Sequence, residues 1–343
     1  MNIPAKPWPH RQLPRRILAI RYQAMGDTVV TLPYLQGLRE SLPSTVEIDF
    51  LTREETEGVP KNIQLFNNVY SIGGGRSKKK IILHTLKMLP RLLLRRYDAI
   101  IDLQHNLYSR IVRTAIRPRA WVLYDKYSPI SGAERYRLTI SAIGLGENRP
   151  CFGFRLKNDS IGLRLLRDKG WNGTDELVVL NPAGAFTTRN WDIANYTAFA
   201  RLWLEQRPDT QFLVLGTSFI TAKAAALRQQ LGARLLDLTE QTTTEEAFAI
   251  LQHVKLMVSE DSGLMHMAWI SGIPTLALFG STRSDWSSPQ GPHTKVLSST
   301  DLPCGDCMQA VCSFGDVHCL TRHTPGSVLS HALDLIKVTH PVS

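Results

Sequence analysis

Three short stretches set small, hydroxyl-bearing or charged residues directly after an apolar run and directly before a helical pattern. They are Ala24-Met25-Gly26-Asp27 after RILAIRY, NPAGAFTTRNW (181–191) after LVVL, and SEDSGLMH (259–266) after KLMV. In the third, Asp261 precedes Ser262, a good helix N-cap, so the backbone N–H groups of Gly263, Leu264 and Met265 start a helix without intrahelical partners. Such donors, together with the positive end of the helix dipole, bind phosphate, and Gly263 lets a ligand come close to the backbone. His266, about one turn later, can donate to the same anion; alternatively Ser262 is a plain cap and His266 packs in the core. In the second stretch Thr187, Thr188 and Arg189 follow a turn of small residues and suit the neutralisation of a diphosphate leaving group, although both threonines also suit an ordinary turn. Trp191 reads as packing. In the first stretch Asp27 has two readings. Helix capping favours an acid there, and an ionised acid there can also accept a proton from an attacking hydroxyl.

The elements needed to position these residues follow from hydrophobic periodicity. RILAIRY (16–22), a helix over TVVTLPYLQGLRESLP and VEIDFLT (46–52) make a βαβ unit, which implies a parallel sheet. A helical pattern over 81–96, broken by Pro90, and a strand YDAIIDLQ (97–104) continue it. After an irregular stretch near residue 150 and a short helix, alternation restarts at LVVLNP (177–182). It runs through QFLVLG, RLLDL, KLMVSE and TLALFG with helices between them, and closes on a helix after Thr324-Pro325-Gly326. The expectation is an α/β protein with an N-terminal Rossmann-like domain over 1–165, a second over 166–323 that carries a Cys-rich segment at 304–319, and a helix and tail over 324–343. Ligands of doubly wound sheets sit at the C-terminal ends of the strands, so a cleft between the domains is expected.

Several chemistries are excluded or weakened. There is no D-x-D metal signature, no G-x-G-x-x-G fingerprint and no G-x-S-x-G elbow. GGGRSKKK (73–80) lacks the G-K-[ST] ending of a phosphate loop, and no strand is expected to lead directly into it. Cys304, Cys307, Cys312 and Cys319 fall within sixteen residues. They could hold a structural zinc or iron, remain reduced packing thiols, or form a redox-labile pair.

With 343 residues, 43% of them hydrophobic, two cores of about 150 residues each are natural. No apolar run reaches the ~18 residues that span a bilayer, and the first residues lack the apolar centre of a signal peptide, so a cytoplasmic protein is expected. The net charge of +10 is unevenly spread: residues 1–150 carry 24 Lys and Arg against 12 Asp and Glu, and the remainder 16 against 18. A polyanion or an anionic membrane face is the expected partner of the first half, unless the charge only solvates that face.

Taken together, RILAIRYQAMGDTVVTLPYLQGLRESLP, YDAIIDLQHNLYSR, NPAGAFTTRNW, SEDSGLMHMAWISGIPTLALFGST and LPCGDCMQAVC resemble glycosyltransferase family 9, the ADP-heptose:lipopolysaccharide heptosyltransferases. The resemblance implies a GT-B fold, two Rossmann-like doubly wound domains facing a central cleft. It also implies an inverting, metal-independent transfer of heptose from ADP-heptose to the lipopolysaccharide inner core, by an enzyme peripheral at the inner face of the cytoplasmic membrane. The acid of M-G-D, here Asp27, becomes the general base. Thr187, Thr188, Arg189, Asp261, Ser262, Gly263 and His266 become donor-binding residues. Arg76, Lys78, Lys79, Lys80, Arg91, Arg95 and Arg96 would meet the acidic acceptor or the membrane. Two positions depart from the family's glycines, His105 in DLQH and Glu240 in LTEQ, and no acid follows LVLG where some members place one near the donor ribose. His105 thereby lies where the acceptor is expected. Two rivals stand: a family member that transfers to a protein acceptor, in which a cysteine-bound metal is plausible, or that uses another nucleotide sugar, and a basic nucleic-acid binder without catalysis.

Overall fold

The computed structural model describes residues 3–146 and 148–339. It divides into two compact units, Met1–Lys157 and Asn158–Ser343. The first holds six strands: β1 (Ala5–Lys6), β2 (Arg16–Ile20), β3 (Glu47–Arg53), β4 (Asn68–Ile72), β5 (Ala99–Asp102) and β6 (Ala120–Leu123), in the order β1-β6-β5-β2-β3-β4. All neighbours are parallel except β1, which runs antiparallel to β6. The second holds β7 (Glu176–Asn181), β8 (Thr210–Val214), β9 (Leu235–Asp237), β10 (Leu256–Glu260), β11 (Thr275–Leu278) and β12 (Thr294–Leu297), in the order β12-β11-β10-β7-β8-β9, all parallel. Leaving β1 aside, both sheets start centrally, grow one way, then jump back beside the first strand and grow the other way. That is the doubly wound pattern, whose crevice opens where the order reverses. The reversal falls between β2 and β5 in the first unit and between β7 and β10 in the second.

These strands read as continuous apolar runs because helices cover both faces of each sheet. Leu18, Ile20, Ile100 and Val112 centre the first core; Val178, Leu180, Phe199, Trp203 and Val258 centre the second. The final helix, Pro325–Thr339, packs on Ile193–Gln206 and adds Val328, Ala332 and Ile336 to that second core. The helix expected after residue 324 is therefore an integral layer of the second unit; residues 340–343 lie outside the described residues. The division also falls earlier than residue 165, because the helix Ser160–Asp168 packs on Thr244–Leu251 of the second unit.

Other differences have local causes. Pro90 does not break its helix, which runs from Lys78 to Arg95. Pro90 is exposed, so the carbonyl it deprives of a donor faces water, while Ile81, Thr85 and Leu92 anchor the opposite side. A strand, β4, does lead directly into Gly73-Gly74-Gly75, and Ser77 caps the helix that follows by accepting from the Lys80 N–H. Thus GGGRSKKK joins strand to helix after all, without the lysine-hydroxyl ending of a nucleotide loop.

Candidate functional site

In the second unit the reversal point is built from strand ends in register. Ser259 on β10 pairs with Asn181 on β7. The fully buried Asn181 donates from Nδ2 to Ser259 Oγ at 2.8 Å and to Ser262 Oγ at 2.7 Å. Ser262 is the N-cap of the helix Gly263–Ile270 and accepts from the Met265 N–H at 3.2 Å. A Cβ added to Gly263 would meet nothing within 4 Å, so this helix start faces open space. The space is a pocket of about 490 Å³, walled by Asp261, Ser262 and Gly263 on one side and by Thr217, Phe219 and Thr243 on another. Its size suits a nucleotide-sized ligand. A positive helix terminus on one wall and apolar surface on the other suit a phosphate and a ring, respectively.

The loop after β7 is held by a residue that sequence reasoning passed over as the last position of a strand. Glu260 is fully buried and accepts the Gly184 N–H at Oε2 (2.5 Å) and the Trp191 N–H at Oε1 (2.6 Å). Burial pushes its carboxyl up to about 7, against the pull of those two N–H groups, of the Lys223 ammonium and of the Tyr196 hydroxyl. Gly184 is required here, because a Cβ would lie 2.2 Å from the Arg189 carbonyl. Lys223 donates to the Pro182 carbonyl at 2.8 Å and to Asn190 Oδ1, and burial lowers its proton affinity. The signal for Glu260 was present in the sequence: an acid at the end of an otherwise apolar parallel strand needs partners, and the adjoining loop is the nearest source.

The predicted donor residues separate into three groups. Asp261, Ser262 and Gly263 line the pocket. Arg189 pairs loosely with Asp261 (Nη1 to Oδ2, 3.8 Å) and lies over the Phe186 ring at 5.1 Å, while the buried His266 sits beside the Trp269 ring at 6.2 Å. Thr187 and Thr188 do something else: their hydroxyls donate to the Ala310 and Gln309 carbonyls at 3.0 and 2.6 Å, and Thr188 also meets Ser281 Oγ at 2.9 Å. They fasten the loop to the Cys-rich segment.

In that segment Cys304, Cys307, Cys312 and Cys319 line one small cavity of about 50 Å³ beside Thr188. All are free thiols. Burial and the neighbouring cysteines push the Cys319 thiol up. Four sulfurs suit a thiophilic ion chemically, yet among the described residues no group of three or more His, Cys, Asp or Glu is placed to hold a metal.

The first unit carries Asp27 at its own reversal point. The Tyr22 and Gln23 N–H groups donate to Gln104 Oε1, and the Gln104 and His105 N–H groups donate to Asp102 Oδ1, so the end of β5 holds the turn after β2. The helix starts at Met25, which places Asp27 in its first turn. Asp27 Oδ2 accepts the Ala24 N–H at 3.2 Å and pairs with Arg21 Nη2 at 2.7 Å; Oδ1 receives the Tyr136 hydroxyl at 3.4 Å. The buried Arg21 donates to the Leu103 carbonyl at 2.5 Å and lies over the Tyr124 and Tyr136 rings. One carboxylate is therefore aimed by a buried cation while its side chain stays 52% exposed. His105 contacts the Tyr124 carbonyl through Nδ1 at 2.8 Å, and its backbone is left-handed (φ 46°), as is that of Glu240 (φ 59°). Both are positions where glycine was expected, and both have the conformation glycine favours.

The basic residues also divide. Arg95 is tied to Glu47 and to Asp49 (3.3 Å), and Arg91 lies over the Tyr70 ring at 4.9 Å. Arg76, Lys78, Lys79, Lys80 and Arg96 are exposed.

A sequence model of glycosyltransferase family 9 (heptosyltransferase) matches residues 151–318. The lipooligosaccharide heptosyltransferase 2 of Campylobacter jejuni subsp. jejuni is 27% identical over 171 residues, which cover 48% of this chain and 52% of that protein. The chain thus spans about half the length of the Campylobacter jejuni relatives it matches. The lipopolysaccharide heptosyltransferase 1 of Pseudomonas aeruginosa is 22% identical over 333 residues, 87% of this chain and 88% of that one. Among solved structures, a family 9 glycosyl transferase from Veillonella parvula matches with a TM-score of 0.79 at 17% identity, covering 94% of this chain and 97% of that one, a likeness of fold.

Proposed function

We propose that the chain, which resembles glycosyltransferase family 9 over residues 151–318 and has the GT-B fold, transfers a heptose, with inversion, from ADP-heptose to the lipid-linked inner core of lipopolysaccharide. The observation that carries this reading is the open helix start at Ser262-Gly263 on the wall of a pocket of about 490 Å³. The diphosphate takes the free backbone donors there, and the nucleoside lies toward Phe219 and Thr243. Asp27, oriented by Arg21, removes the proton of the acceptor hydroxyl as its oxygen attacks the anomeric carbon. The bond from that carbon to the diphosphate oxygen breaks, and ADP leaves with the bonding pair. The helix start, Arg189 and His266 stabilise the charge that develops on the leaving oxygen. Thr187 and Thr188 support this by holding the loop that carries Arg189.

The reaction needs no metal in this reading, so transfer is expected to persist in EDTA. Arg76, Lys78, Lys79, Lys80 and Arg96 meet the acidic acceptor at the anionic inner face of the cytoplasmic membrane. Among the described residues no helix is long and apolar enough to cross a membrane. Calorimetric titration with ADP-heptose, ADP and other nucleotide sugars, followed by transfer to an inner-core acceptor, tests the reading. Tighter binding of a different nucleotide sugar would overturn the donor. One equivalent of zinc or iron bound through the four cysteines, with transfer to a polypeptide, would move the acceptor to protein.

A further inference from the structure

The helix Lys78–Arg95 carries an exposed face that neither its core nor the proposed chemistry uses. Its buried side, through Ile81, Thr85 and Leu92, satisfies the first unit's core. On the other side Leu83 is 49% exposed, Leu86 48%, Leu93 45% and Leu94 82%. At about 100° per residue these four and Pro90 share one stripe about 100° wide, as an apolar face must. Lys80, Lys87 and Arg91 run along one flank of the stripe, and Lys79 stands at its N-terminal end. From Arg76 to Tyr97 there is no Asp or Glu.

The charge pattern also runs against the helix itself. Lys78, Lys79 and Lys80 occupy the first turn, which has no acidic residue, where the dipole disfavours cations. An anionic partner at that end removes the cost. A water-facing helix has no use for four leucines, and a nucleic acid has none either. An apolar stripe edged by lysines, on a helix ~27 Å long, has the pattern of an element lying in a bilayer interface.

We propose that Lys78–Arg95 docks in the plane of an anionic bilayer, with Leu83, Leu86, Leu93 and Leu94 among the acyl chains and Lys79, Lys80 and Lys87 on lipid phosphates. This deepens the membrane-facing part of the function proposed above, and it adds an inserted apolar face to what charge alone would give.

The test is co-sedimentation of the full chain with vesicles of equal parts phosphatidylcholine and phosphatidylglycerol, and with vesicles of phosphatidylcholine alone. The wild-type chain is expected to pellet with the anionic vesicles, and less so as salt rises. Leu83→Gln with Leu94→Gln should lower the partition coefficient by about tenfold or more at every salt concentration. Lys79→Ala, Lys80→Ala and Lys87→Ala should each lower it about fivefold at low salt and flatten the salt dependence. If the double leucine variant melts early, Leu94→Gln alone carries the test. Leucine variants that bind like wild type, or a wild-type chain that ignores anionic vesicles, would overturn the proposal. So would a concentration-dependent dimer in sedimentation that the leucine changes abolish, since a second copy would then cover the face. Transfer to a lipid-free acceptor should be unchanged in the leucine variants. Vesicle binding without any heptose transfer keeps the docking face and removes the enzymatic reading; transfer without vesicle binding does the reverse.

Discussion

The two units reach their reversal points by the same sheet order and furnish them in opposite ways. At the β2/β5 junction the acid, Asp27, stands in the first turn of its helix and is held on three sides by Arg21, Ala24 and Tyr136. At the β7/β10 junction the acid, Glu260, is withdrawn into the sheet, where it organises the adjoining loop and leaves the helix start at Gly263 open. One crevice presents a carboxylate and the other presents free backbone donors. In the function proposed above, the duplicated scaffold supplies a base from one copy and an anion site from the other. The fold alone does not decide which does which; the side chain after each strand does.

The sharpest way to break that contrast is to remove the presented acid. Asp27→Asn keeps the shape and the Ala24 contact but cannot take a proton. Transfer is expected to fall by ~10²–10⁴ in kcat, with the affinity for ADP unchanged. An intact rate would mean that the first unit's acid is only a cap. On the other side, Gly263→Val puts a side chain into the open space at the helix start, and Arg189→Ala removes a cation. Both should weaken binding of the nucleotide diphosphate, by roughly tenfold to a hundredfold, in a calorimetric titration. Loss of kcat without loss of affinity would assign these residues to the acceptor instead.

The withdrawn acid predicts a pH effect whose two parts have opposite signs. Burial raises the Glu260 carboxyl to about 7. Its folded value therefore lies above its unfolded one. The stability linked to it is fully present below about 4.5 and is lost as pH rises through about 7, a change on the order of 3 kcal/mol for a single such group. The loop responds in the other direction, because a protonated carboxyl gives up one of its two acceptor oxygens and releases either the Gly184 or the Trp191 N–H. Nucleotide affinity should thus decline as pH falls through 7, even as the fold gains stability. Glu260→Gln fixes one oxygen as an acceptor and should abolish the titration near 7, leaving weak binding at all pH values. Affinity measured from pH 5.5 to 8.5 decides between these.

How far this was legible in the sequence differs between the units for the same reason. In the second, β7 to β11 are apolar runs set off by clear turns and the cap is a single residue, Ser262, so those strands and the helix start could be placed; the edge strand β12 (TKVL) and the pocket wall at Thr217, Phe219 and Thr243 could not. In the first, β4 and β6 are short, and NVYSI and AWVL carry no period of their own. Their pairing with β3 and β5 makes them strands, and that is a long-range contact no local pattern reports. The candidate site residues divide likewise. Asp27 and Ser262 were visible because each sits at a junction; Arg21 was not, since an arginine inside an apolar strand ending points nowhere until its ring partners at Tyr124 and Tyr136 are in place. Thr187 and Thr188 suggested ligand contact by composition, but the carbonyls they bind lie more than a hundred residues away in the chain.

The smallest expected effects come from the two left-handed residues, and they too sharpen the contrast. A non-glycine residue in that region costs ~1–2 kcal/mol, and a glycine there gives back ~0.5–1 kcal/mol through the entropy of the unfolded chain. In the second unit, among the described residues, the Glu240 side chain makes one long hydrogen bond, from the Thr221 hydroxyl at 3.4 Å. Glu240→Gly should therefore stabilise by about 0.5–1 kcal/mol, visible as a small upward shift in denaturant midpoint. In the first unit His105→Gly relieves the same strain but forfeits the imidazole contact with the Tyr124 carbonyl, itself worth about 1 kcal/mol. Its net effect on stability should be close to zero. If histidine at 105 serves the acceptor side of the reaction, the change should appear instead as a raised KM for the acceptor with stability unmoved. Equal stabilisation by both substitutions would mean that the His105 ring does no more for the first unit than the Glu240 side chain does for the second.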